Sequence, residues 1–233
     1  MNSSGRIGKR ITDDWWVVIP SVAGILACLG DLIMTHLLGT WYHGYRPLFQ
    51  SMSDLGDEGS PVAGLASDLW LVFGVMFVLF GYGFYRAFSQ QGKTARTAAW
   101  MIAVYGFGEE VGSGLVPGTP GGGFQTANSI GHNIVGGIGV LAIVSLPFLI
   151  MKLHDFRKSL FLYCYSWFTT VTGIFFFVLF VVSQFYHPAG SWIIYHGLWQ
   201  RLFMLTYYLY LMCLALLMLT SEKWNREAGS SMP

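Results

Sequence analysis

Ser51 to Pro61, SMSDLGDEGSP, is the most polar and most acidic run between the first and last apolar segments of the chain. It carries Asp54, Asp57 and Glu58, three of only 12 acidic residues, and its two Gly and one Pro exclude a regular helix through it. On both sides the sequence is apolar for about 20 residues or more, the length a helix needs to cross a hydrocarbon core of roughly 30 Å. The stretch therefore reads as an ordered loop or cap between two membrane-spanning helices, and that reading decides the fold class.

Composition agrees. Of 233 residues, 54% are hydrophobic and only 11% charged, against roughly a quarter charged in a soluble domain. A net charge of +1 offers no basic patch for nucleic acid, and no nucleic-acid motif is present. Cys28, Cys164 and Cys213 all fall inside apolar runs and read as small core residues, not as a disulfide framework. No motif calls for a cofactor.

Six spans are expected, at Trp15 to Leu38, Gly64 to Phe88, Thr94 to Val116, Ala127 to Met151, Leu160 to Ser183 and Tyr195 to Ser221. Residues 15–221 then form one membrane domain, with 1–14 and 222–233 as cytoplasmic segments. The first span follows Arg6, Lys9 and Arg10, but it is too long for a cleaved signal peptide and no A-x-A-like site follows it. Lys and Arg surround the second and fourth connections (Arg86, Lys93, Arg96; Lys152, Arg157, Lys158), while the first has only Arg46 and the third none. With the termini, 11 of the 13 Lys and Arg fall on one side, leaving Arg46 and Arg201, so the positive-inside rule places both termini in the cytoplasm. The Asn2-Ser3-Ser4 sequon then lies on the cytoplasmic side.

Aromatic residues stand where interfacial belts belong: Trp15 and Trp16, then Trp41, Tyr42 and Tyr45, then Trp192, Tyr195 and Trp199. Pro117 to Gly123, PGTPGGG, lacks the Lys-Ser/Thr ending of a phosphate loop and reads as a turn. Gly108 and Gly112, with Gly131, Gly136, Gly137 and Gly139, allow helix backbones to approach closely inside a bundle.

The ionisable residues within the spans gather towards one side. Asp31, Asp68, Glu109, Glu110, His132, His196 and Arg201 all lie about one or two turns in from the outer boundary, under a rim that includes Ser53 and Asp54. A charge at mid-membrane costs something like 2.5 to 3.5 kcal/mol on insertion scales, so such residues face the bundle interior and one another. Asn128 and His132 share a helical face, as do His196 and Gln200; Glu109 and Glu110 point about 100° apart, so one of the two is expected to face inward fully. Three readings of the cluster follow. It is a structural network in which Arg201 pairs with Glu109 or Glu110. Or it is an outward-open polar pocket for a lipid headgroup or small solute. Or it is a metal-dependent hydrolase site using His132, His196 and Glu109 with a water. Against the last stand the absence of HExxH and of a Gly-x-Ser-x-Gly elbow. Ser51, Ser53 and Ser113 are candidate hydroxyls, but Ser and Asp in such a loop are turn and cap formers.

Ser51-Met52-Ser53-Asp54-Leu55-Gly56, then Ser60-Pro61, then an apolar span ending Tyr85-Arg86-Ala87-Phe88, resembles the loop and second span of domain-of-unknown-function family 998. Gly197-Leu198-Trp199-Gln200-Arg201-Leu202 is similar to that family's last span in residue type. The resemblance implies a bacterial or archaeal multi-pass membrane protein without an established activity. Met52 to Gly56 also resembles, more distantly, the first outer loop of DRAM and Sfk-type six-span proteins. Alkaline-ceramidase-type hydrolases combine Ser, Asp and three His as well, but with a close His pair on the last span, whereas His187 and His196 are nine apart here.

The sequence thus predicts an all-α, six-span bundle in the cell membrane, both termini cytoplasmic, in contact with membrane lipid. Its outward-facing polar pocket is lined from Asp31, Ser53, Asp54, Asp68, Glu109, Glu110, His132, His196, Gln200 and Arg201. The alternative is a metal-dependent membrane hydrolase acting on a lipid-like substrate.

Overall fold

A long apolar run satisfies its backbone polar groups only within itself, which makes it helical. The computed structural model describes residues 14–119, 126–186 and 191–220, with Asp155 described in its backbone only. The basic amino terminus, most of the Gly-rich third connection, His187 and the carboxyl tail lie outside the described residues. Helix α1 is Trp15–Trp41, α2 Ala63–Phe88, α3 Gly92–Tyr105, α4 Ala127–Ile150, α5 Leu160–Phe185 and α6 His196–Thr220. With the continuation of α3 as far as Leu115 included, these bounds fall within three residues of the expected apolar runs. Among the described residues there is no strand.

Several of the helices start on a side-chain cap. Asp14 accepts from the Trp16 amide at 3.1 Å, Thr126 from Ser129 at 3.2 Å and Ser159 from Leu162 at 3.4 Å. Helix α3 does not stop at Tyr105. It widens into a π-helical segment, Gly106–Val111, and ends in one α turn, Gly112–Leu115.

Five helical stretches among the described residues are long and apolar enough to cross a membrane. The longest, Ala63–Leu115, contains both α2 and α3. The chain reverses between them at Ser89–Gln91, where Gly92 takes a φ of +71° that glycine adopts without strain. The register of the hairpin is antiparallel: Gly81 lies against Ala99 and Ala103, Gly74 against Gly106, and Gly114 against Ser67.

The remaining neighbours alternate in direction too. Gly24 meets Phe80 and Gly30 meets Phe73 across α1 and α2; Asp31 reaches Tyr208 across α1 and α6; Ser166 meets Tyr210 across α5 and α6. A Cβ at Gly108 would stand 2.8 Å from the Gly139 amide nitrogen, and one at Gly139 would stand 2.5 Å from that of Glu109. The glycines therefore let α3 and α4 touch backbone to backbone inside the bundle. The outward faces stay apolar, with Leu141 69%, Phe168 61% and Val171 61% exposed, as a lipid-facing surface requires.

This arrangement gathers the 42–62 connection, residues 116–119, Thr126 and the start of α6 at one end. The Glu58 amide donates to the Gly118 carbonyl at 3.0 Å, and the Leu198 amide to Leu48 at 3.1 Å. At the opposite end Arg86 pairs with Asp14 at 3.5 Å, and the Phe88 and Phe156 rings meet at 5.2 Å.

Candidate functional site

About two turns below the loop end, four helices bring polar side chains to one point. Asp31 of α1 is 1% exposed. Its Oδ1 accepts from the Trp70 indole of α2 at 3.1 Å, and its Oδ2 lies 2.9 Å from the Tyr208 hydroxyl of α6. The same hydroxyl is 2.9 Å from Oε1 of Glu110 and 2.9 Å from the Tyr105 hydroxyl. Glu110 is 2% exposed, and its Oε2 has no hydrogen-bond partner among the described residues. A buried carboxylate oxygen without a partner is costly, so it marks a place where a ligand or water belongs.

Sequence spacing predicts that Glu109 and Glu110 diverge, with one inward. The structure corrects this: both line a small chamber together with Asp31, Ser113 and Gln200. Both glutamates lie in the π-helical turn, Glu110 towards Tyr105 and Tyr208 and Glu109 towards Gly136 and Gly139 of α4. Such bulges occur frequently at functional sites. Gly136 and Gly139 of α4 make room beside Glu109. About 20 Å³ of the chamber is open to a water-sized group, enough for one water or an atom group of that size.

Above the chamber the first connection forms its roof. Ser51 donates through its amide to Asp54 Oδ2 at 3.1 Å and through its hydroxyl to Asp54 Oδ1, while the Ser51 and Ser53 hydroxyls are 2.9 Å apart. Gln200 holds the roof from below, its Oε1 accepting from the Met52 amide at 2.5 Å. Gly56 lies flat against the Trp70 ring, where a Cβ would collide.

Beside the roof opens a polar vestibule of about 570 Å³ whose lining includes Asp54, Asp57, His132 and His196. Ser53 lines both the vestibule and the chamber, so it stands at their junction. His132 Nδ1 is 2.8 Å from the Val116 carbonyl. A carbonyl only accepts, so Nδ1 carries the proton. His196 Nδ1 is 3.1 Å from the Ser183 hydroxyl. Burial, with the charges of Asp54 and Glu58 nearby, pushes the Asp57 carboxyl in the connection up to about 6.

Two expected site residues lie elsewhere. Asp68 is exposed and lines neither cavity, because α2 turns Ala66, Trp70 and Phe73 inward and leaves Asp68 on the other face. Arg201 does not pair with Glu109 or Glu110. Its Nη1 donates to the carbonyls of Pro47, Gln50 and Gly197 at 2.6, 2.9 and 3.0 Å, and its Nη2 to the Tyr45 hydroxyl at 2.6 Å. Tyr45 in turn donates to the Ser51 carbonyl at 2.6 Å. A side chain at Gly197 would strike the Pro47 and Gln50 carbonyls, so glycine there admits the loop against α6. Arg201 is thus a latch for the first connection.

His132, His196 and Glu109 do not converge as metal ligands. Among the described residues no three of His, Cys, Asp and Glu are placed to hold a metal ion. Glu109 belongs to the chamber, whereas both histidines belong to the vestibule above it. Ser113, a candidate hydroxyl by sequence, lines the chamber, whereas Trp70, Tyr105 and Tyr208 escape the sequence reading because each lies in an apolar run as an ordinary helix residue. One signal was present: a phenol or indole at mid-span needs a partner for its polar atom.

No curated protein and no solved structure matches the chain. The family comparison supports the family 998 resemblance of the first connection and the last helix and adds nothing to the DRAM and Sfk one. Matched over residues 22–217, the chain belongs to the DUF998 family of proteins of unknown function.

Proposed function

We propose that this is a six-span protein of the cell membrane, both termini cytoplasmic, whose vestibule and chamber form an outward-facing pocket for a small polar solute or a lipid headgroup. One observation carries the reading: a vestibule of about 570 Å³ and a chamber share Ser53 in their linings, and the chamber holds a buried carboxylate oxygen without a partner among the described residues. The hairpin of α2 and α3 supports two passes through Ala63–Leu115, and the placement of the described Arg86, Lys93, Arg96, Lys152, Arg157 and Lys158 at the opposite end from the vestibule supports the orientation. Asp54 and Asp57 above, and Asp31, Glu109 and Glu110 below, face the space without a lysine or arginine among the lining residues. The field of the pocket therefore favours ligands that carry positive charge or hydrogen-bond donors.

Thermal-shift binding to the purified protein, with a panel of neutral, anionic and cationic headgroup fragments, tests this. Gln184→Trp, placed on an exposed position of the vestibule wall, is expected to abolish the shift and leave the basal melting temperature unchanged. Binding that resists this block, or a membrane-impermeant ligand that binds only inverted vesicles, overturns the reading.

A further inference from the structure

The proton count of the chamber is incomplete. Three oxygen–oxygen contacts of 2.9 Å converge on the Tyr208 hydroxyl, from Asp31, Glu110 and Tyr105. Each contact needs one proton, and a phenol supplies one. Tyr208 and Tyr105 supply two. If Asp31 and Glu110 were both ionised, one carboxylate oxygen would face a phenol lone pair at hydrogen-bond distance with nothing between them. The third proton therefore rides on the carboxyl pair.

The groups around that proton are few. Helix α1 contributes Asp31 and the buried Cys28, α3 contributes Tyr105 and Glu109, and α6 contributes Tyr208. Helix α2 contributes the neutral Trp70. Arg201, a cation of the same end, is spent on the loop carbonyls. No lysine or arginine is among the described residues that line the chamber, and Glu110 Oε2 is still unpartnered.

We propose that the chamber takes the ammonium head of a primary amine in exchange for the shared proton of Asp31 and Glu110. This rests on the pocket reading above and names its ligand class. An –NH3+ group is about the size of a water and fits the space of about 20 Å³, with one donor for Glu110 Oε2, one for Glu109 and one that takes the place of the departed proton between the Tyr208 oxygen and the carboxyl pair. The Trp70 ring in the chamber wall adds an aromatic face for a cation. The carbon stem passes Ser53 into the vestibule. One positive charge enters as the ammonium and one leaves as a proton to water, so the charge of the chamber is unchanged. A trimethylammonium head is too wide for the same space.

The test is calorimetry of ethanolamine and of choline binding to the wild-type protein, in two buffers of different ionisation enthalpy. Ethanolamine is expected to bind at least tenfold more tightly than choline and to release close to one proton; Glu110→Gln is expected to remove the proton release. A merely structural Glu110 would leave the proton count unmoved. Equal affinity for the two, or no proton released by wild type, overturns the proposal without needing any variant to fold. If neutral fragments bind and ethanolamine does not, the exchange fails and the pocket stands; if nothing binds, both fail. Competition by nanodiscs of phosphatidylethanolamine against phosphatidylcholine separates the sources. Displacement by the former alone assigns the amine to a lipid headgroup, and no displacement by either assigns it to a free solute.

Discussion

Arg201 and Glu110 lie in neighbouring polar clusters near the loop end, and the two are satisfied in opposite ways. Four oxygens receive the Arg201 guanidinium, and none of them belongs to a carboxylate. Two phenols approach one oxygen of Glu110, and the other has no partner. A network that served only to neutralise charge would have paired the arginine with the acid. The chain instead uses the cation to tie down a loop and keeps the acids apart from it. The difference separates a latch, which is complete, from a chamber, which is not.

The comparison breaks most sharply at the latch. Arg201→Met strips three carbonyls and a phenol of their donor, and we expect a loss of roughly 3 kcal/mol in a denaturing-detergent titration. That is two bonds' worth at the low end of the roughly 1.5 to 3 kcal/mol for a bond to a charged group, because Arg201 is only half-buried and water replaces the rest. Adding Glu110→Gln should leave that loss in place, the two changes being additive. Rescue by the second change would show an ion pair and erase the distinction drawn above.

Trp70→Phe probes the chamber from its rigid side. It leaves Asp31 Oδ1 without its indole donor, and the expected cost is about 1 to 2 kcal/mol in the same titration. Full stability would mean that a water already serves Asp31 and that the indole bond adds little.

The smallest effect sits in the loop between the two. Asp57, 8% exposed, has its carboxyl raised from 3.8 to about 6. A raised acid binds its proton more tightly folded than unfolded, so it lowers stability fully above about pH 6, less as pH falls towards 4, and not at all below that. Asp57→Asn is therefore expected to raise the melting temperature at pH 7 and to flatten the profile between pH 4 and 6. A variant profile parallel to wild type would place the charge in solvent.

How much of this was legible depends on whether the signal is local. Each apolar run carries its own length and composition, which is why the helices, α3 taken to Leu115, fall within three residues of their expected bounds. Asp31, Glu109, Glu110 and Gln200 were legible as chamber residues because ionisable or amide side chains inside a span have nowhere else to turn. Asp68 misled because it obeys the same rule by sequence, yet sits on the face of α2 opposite Trp70. Arg201 misled because carbonyls of Pro47 and Gln50, about 150 positions away, are invisible as partners in a residue list.

By itself the sequence determined that this chain is a bundle of apolar helices with its polar residues gathered near one end, since helix formation in a membrane needs only a run without breaks and a backbone that bonds to itself. The tertiary structure alone decided which polar groups meet. Two adjacent glutamates of the π turn at Gly106–Val111 both line the chamber, and glycines at 108 and 139 bring the backbone of α4 against that turn. Tyrosines from α3 and α6 then fall within a hydrogen bond of Asp31 and Glu110. Those are properties of packing between segments distant in the chain, where a fraction of an ångström in backbone approach decides whether a carboxylate finds a partner or keeps a place open for one.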